Sequence, residues 1–190
     1  MLRKINSLLT IPIFLLFIVH LILMGGLLTG LLGFYPDLKL FGQLLTPFVL
    51  LHAAFGILFL IQRIVCKKRG QNVYPKPNTI FRVQLLSGIA MLILVLVHTT
   101  AYGYVGADGS FVLRAPSLLY FILESLLALT ICIHCAVSLP RMAVTFGLIK
   151  NKLGLIKTVK TSMKIFAVIF LIAEIAYCIY YIPPILGGLL

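Results

Sequence analysis

Long apolar stretches separated by short polar connections dominate this chain. Five stretches meet the length of about 20 mostly apolar residues that a bilayer-spanning helix needs: roughly residues 8–34, 44–65, 83–105, 116–140 and 163–185. Together they take up most of the 190 residues, leaving no stretch long enough for a separate soluble domain. The pattern predicts an all-α integral membrane protein, a single transmembrane domain of five helices. Its first four helices would form an up-and-down bundle. No repeat stands out beyond the recurrence of a helix with a central histidine, and there is no low-complexity tract.

Composition agrees with the pattern. The chain is 62% hydrophobic and 11% charged, with a mean hydropathy of +1.16. Soluble domains carry about a quarter charged residues, so this chain lacks the polar surface to cover itself in water. The opening Met1-Leu2-Arg3-Lys4 and the apolar run after it look superficially like a secretory signal. The run is too long for a signal core and shows no small-residue cleavage site, so a retained first span is expected.

A net charge of +12 would suit a nucleic-acid partner, but its distribution argues against one. Arg3 and Lys4 precede the first span; Arg63, Lys67, Lys68, Arg69, Lys76 and Arg82 lie between spans two and three; Arg141, Lys150, Lys152, Lys157, Lys160 and Lys164 lie between spans four and five. Only Lys39 and Arg114 fall on the other side, offset by Asp37 and Asp108. Basic residues gather on the cytoplasmic side of membrane proteins, so the N-terminus is expected in the cytoplasm and the C-terminus outside. Contact with anionic lipid accounts for most of this charge, and a protein docked on the same face is compatible with it.

Cys66, Cys132, Cys135 and Cys178 show no disulfide or c-type haem pattern: Cys132 and Cys135 form a C-x-x-C followed by Ala136 inside an apolar span. They read as small apolar packing residues. Gly26-x-x-x-Gly30 is a weak helix-packing signal of a kind common in membrane helices. Tyr177, Tyr180 and Tyr181, just before Pro183-Pro184, read as an interfacial aromatic belt.

The four histidines carry the candidate chemistry. His20, His52, His98 and His134 each sit in a different span, and none lies in a loop. Polar side chains in the hydrocarbon region are costly and usually serve a purpose in the bundle interior. A lone histidine would read as an interhelical hydrogen bond; four, one per helix, point to ligation. His20 lies 16 residues beyond Lys4 and His98 lies 16 beyond Arg82, which puts both about 24 Å above the basic line. His52 precedes Arg63 by 11 residues and His134 precedes Arg141 by 7, which puts them about 16 and 10 Å above it. The two levels differ by roughly 8–14 Å along the membrane normal.

Depth therefore pairs His20 with His98 and His52 with His134. In an up-and-down bundle the same helices face each other diagonally. Two pairs at two depths suit two bis-histidine b-type haems better than one zinc ion, which needs about four ligands together. Bis-histidine iron has no open position, so electron transfer is the expected work. Gly56 and Ser138, one turn after His52 and His134, are candidates to admit a ring edge or to accept the second imidazole N–H; ordinary helix contact is the alternative for both.

The segment Gln84-Leu85-Leu86-Ser87-Gly88-Ile89-Ala90-Met91, leading through an apolar run to His98, resembles a helix of the dihaem cytochrome b membrane-anchor subunits of succinate dehydrogenases and fumarate reductases. As an architecture the resemblance covers the whole chain; as a motif it covers span three and the histidine placement. It implies an outer haem on His20 and His98, an inner haem on His52 and His134, and exchange of electrons with membrane quinone. It also implies flavoprotein and iron–sulfur subunits on the cytoplasmic face of a prokaryotic cytoplasmic (inner) membrane, with the flavin chemistry on other chains. This chain departs from the family in its shorter termini and in the 32 residues between its first two histidines.

Glu124 and Glu174 are the acidic residues within spans. Some relatives use an intramembrane glutamate in proton handling, but neither position follows a motif of the family. A proton or quinone role and a neutral, hydrogen-bonded structural role both remain open for them. The alternatives to the main reading are a cytochrome b of another dehydrogenase or transmembrane reductase, and a haem-free transporter or assembly protein. A transporter would more often break its helices at matching positions of two halves, whereas Pro47 and Pro140 are expected near span ends.

Overall fold

A computed structural model describes residues 2–32, 39–70, 79–101, 103–105, 111–113 and 116–187. Asp37, Lys76, Asp108 and Arg114 lie outside the described residues, and of Arg3 and Lys39 only the backbone is described. Five helices account for nearly all of the structure: α1 (Leu2–Leu28), α2 (Lys39–Lys68), α3 (Thr79–Ala101), α4 (Leu118–Thr145) and α5 (Lys152–Gly187). Each is long and apolar enough to cross a membrane. In hydrocarbon the backbone has no water to bond, so a helix that satisfies its own N–H and C=O groups is the structure such a run adopts.

Several boundaries differ from the sequence reading. Residues 103–105 form a strand, β1 (Gly103–Val105), paired antiparallel with β2 (Phe111–Leu113). α3 has already run 23 residues by Ala101, about 34 Å, enough to cross the hydrocarbon without them. α1 stops at Leu28, and Gly30 follows at φ 74°. Gly30 thus turns the chain out of the helix, as glycine permits, and Gly26-x-x-x-Gly30 is not a packing face. α5 begins at Lys152, so Lys152, Lys157, Lys160 and Lys164 lie on its first turns and the connection from α4 is short. Pro47 and Pro140 fall inside α2 and α4 and do not mark their ends.

α4 is the central helix. Glu124, Ala128, Cys132, Ala136 and Pro140 form a buried stripe at four-residue spacing, flanked by Leu127 and Val137. Ala136 is 0% exposed, and together with Cys132 it packs against Phe166 of α5 and Phe14 of α1. Small side chains on this stripe let neighbouring backbones come close, which drives helix association where lipid offers no hydrophobic gain. Ser117 caps the first turn by accepting the Tyr120 N–H. At the far end Gly147, at φ 78°, lets the Leu148 N–H reach the Ala143 carbonyl, a Schellman closure.

Close packing joins α1 to α2, and α4 to both α3 and α5; α1 leans more lightly on α4 and α5. α2 and α3 meet less closely than sequential neighbours in a regular four-helix bundle would. The result is two helix pairs, α1–α2 and α3–α4, facing across a seam. Arg63 of α2 and Arg141 of α4 both lie over the Phe81 ring of α3, and Thr10 of α1 reaches Met142 of α4. The helices therefore alternate in direction, with the basic ends together. Many large apolar side chains of α1, α2 and α3 are exposed, among them Leu15, Ile22, Ile61 and Leu86. At the other end Tyr181 is 2% exposed and packs against Phe121, Tyr177 and Tyr180. It is a core residue, not part of an interfacial belt.

Candidate functional site

Across the seam the four imidazoles meet in two pairs. The His20 and His98 ring centres are 6.1 Å apart with planes at 80°. Those of His52 and His134 are 6.4 Å apart at 84°. A metal–imidazole bond is about 2 Å and the ring centre lies about 1 Å behind its donor nitrogen, so two imidazoles trans on one metal have centres about 6 Å apart. Both pairs fit that spacing. Among the described residues no three or more His, Cys, Asp or Glu side chains converge as a metal site.

The His134 ring is held by α3. Its Nδ1 lies 3.2 Å from the Gln84 carbonyl oxygen and 3.2 Å from Ser87 Oγ. A carbonyl only accepts, so Nδ1 carries the proton and Nε2 the lone pair. Ser87 fits the same assignment: its hydroxyl donates back to the Val83 carbonyl at 2.7 Å, leaving its oxygen to accept. Gly88 completes the seat, because a Cβ there would come within 3.1 Å of His134 Cε1. The Gln84, Ser87 and Gly88 positions thus serve the histidine of the next helix, not only the run towards His98.

That seat replaces the partners expected from sequence. Ser138 accepts from the Gln84 side-chain amide at 2.9 Å, and Arg141 donates to the Gln84 side-chain oxygen; Ser138 is not the acceptor for His134. A Cβ on Gly56 would meet nothing within 4 Å. On α2, Gly42 lies beside His20, with a Cβ there 3.5 Å from Cε1.

Glu124 of α4 holds His98: its Oε2 is 2.7 Å from His98 Nδ1, and its side chain is 1% exposed. Glu174 of α5 lies against α4, where its Oε2 accepts from Ser125 Oγ at 2.9 Å. Glu174 Oε1 is buried without a hydrogen-bond partner.

The α1 and α2 histidines differ from their opposite numbers. Nδ1 of His20 and of His52 are buried with no hydrogen-bond partner. A buried polar atom left unbonded is costly, and such atoms in native structures mark strain, chemistry or a further bonding group. Each pair thus combines one ring bonded through Nδ1, His98 or His134, with one whose Nδ1 meets no partner. The donor types, spacing and burial fit two bis-histidine haem irons: His20 with His98 and His52 with His134. Cys132, packed in the core with Ala136 and Phe166, and Cys135 are free thiols. No protein-family model matches this chain, and neither a curated protein nor a solved structure matches it.

Proposed function

We propose that this chain is a dihaem cytochrome b that carries electrons across a membrane, the anchor of a succinate dehydrogenase- or fumarate reductase-like complex. The observation that carries the reading is the meeting of four intramembrane histidines in two separate pairs at the spacing of trans imidazole ligands. Edge-to-face ring contacts also span about 4.5–7 Å. Repetition favours ligation: two such contacts, using every histidine in the chain, would bury four imidazoles for little packing gain.

His52 and His134 would hold the haem nearer the basic, cytoplasmic face, and His20 and His98 the one nearer the outside. Bound between these histidines, haem iron would supply one-electron chemistry. The chain's own residues fix the ligands. Gln84 and Ser87 hold the His134 tautomer, Glu124 holds that of His98, and the apolar helices keep water from the irons. The basic ends offer a face for an acidic patch of a flavoprotein and iron–sulfur partner, and for anionic lipid. Quinone would exchange electrons within the bilayer. A cytochrome b of another dehydrogenase or reductase would share the same site, and the subunits that co-purify with the chain distinguish them.

A pyridine haemochrome assay on the purified protein tests the reading. Two haem b per chain are expected; a folded chain purified from haem-replete cells with none would contradict it.

A further inference from the structure

We propose that Glu124 is a positioning residue for the axial ligand His98, and that its hydrogen bond lowers the potential of the outer haem. The proposal rests on the dihaem reading. Its geometry is that of a buried carboxylate on the central helix, 2.7 Å from the Nδ1 of a histidine on the neighbouring helix. Burying a carboxylate is unfavourable without a partner that needs it, and this one is spent on an imidazole nitrogen. With iron on Nε2, the remaining proton sits on Nδ1 and is donated to Glu124 Oε2. That bond fixes the tautomer and ring plane and makes the imidazole a stronger donor.

The other pair lacks this feature. His134 Nδ1 faces two neutral acceptors, Ser87 Oγ and the Gln84 carbonyl, each at 3.2 Å. Bonds to ionised acceptors are shorter and roughly twice as strong as neutral ones, matching the contrast between 2.7 and 3.2 Å. A more electron-rich ligand favours ferric over ferrous iron, so the bond to Glu124 lowers the outer potential. Glu174 takes no part: its carboxylate binds Ser125, on the α5 side of α4.

The test uses the full chain in detergent, with haem counted first. Zero haem in the unaltered protein would refute the dihaem reading itself, whereas the outcomes below, read with two haems present, bear on Glu124 alone. Glu124→Gln keeps the size and an acceptor oxygen but removes the charge. The expected result is retention of the inner haem unchanged and a shift of the outer couple towards ferrous by about tenfold, a rise of about 59 mV for one electron. One of the two low-spin electron paramagnetic resonance signals should move with it. Glu124→Asp, which keeps the charge, should restore most of the shift, and Glu174→Gln should leave both signals in place. Glu124→Ala should weaken outer haem retention roughly 10–100-fold, and selective loss of that haem in Glu124→Gln would have the same meaning. Unchanged potentials and spectra in Glu124→Gln, or a change confined to the inner haem, would overturn the proposal.

Discussion

Gly88 leaves no room for a methyl group: a Cβ there would stand 3.1 Å from His134 Cε1 and 3.3 Å from Nδ1. Because Gln84 and Ser87 grip the same ring, the imidazole has little freedom to retreat. Gly88→Ala should therefore tilt His134 and cut inner haem retention by roughly 10–100-fold, lowering the haem count from two towards one and removing a single low-spin signal. Gly42→Ala makes the contrast, since its Cβ would meet His20 at 3.5 Å, an ordinary contact; two haems should remain. At this scale the histidines were legible in the sequence and their seats were not. Depth along a helix follows from counting residues between a basic anchor and a histidine, so the partners His20–His98 and His52–His134 could be named in advance. Which residue touches a ring depends on helix rotation and crossing, which one chain's spacing does not encode. Ser138, chosen by spacing on the histidine's own helix, accordingly gave way to Gly88, Ser87 and Gln84 on the neighbouring one.

α4 organises the bundle through side chains that are mostly small. Ala136 packs against Phe166 with no exposed surface, so Ala136→Leu should force the α4 and α5 helices apart at a cost of about 1–3 kcal/mol. The expected readout is a lower midpoint of unfolding in detergent. Of the elements, the existence of all five helices could be read from apolar length alone. Their ends could not. Lys152–Lys164 looked like a connection because of its charge, yet a helix carries lysines readily on turns that leave the hydrocarbon. Residues 103–105 looked like the end of a span because Tyr104 and Val105 are apolar, yet such residues also suit a strand once a partner lies alongside. Tyr181 is a similar case, its burial decided by Phe121 on another helix.

The molecule as a whole has a basic end, where Arg63, Phe81 and Arg141 meet, and an opposite end near Tyr181. With the basic end in the cytoplasm, a reporter enzyme that works only outside should be active when fused after Gly187 and inactive when fused within residues 146–151. The reverse pattern would invert the inner and outer assignments while leaving the pairs intact. Those pairs are the central claim, and a series of four alanine substitutions read by low-temperature absorption and paramagnetic resonance tests them most directly. His20→Ala and His98→Ala should abolish one and the same low-spin signal, while His52→Ala and His134→Ala should abolish the other. Loss of a shared signal by His20→Ala and His52→Ala, or no haem signal to lose, would contradict the account.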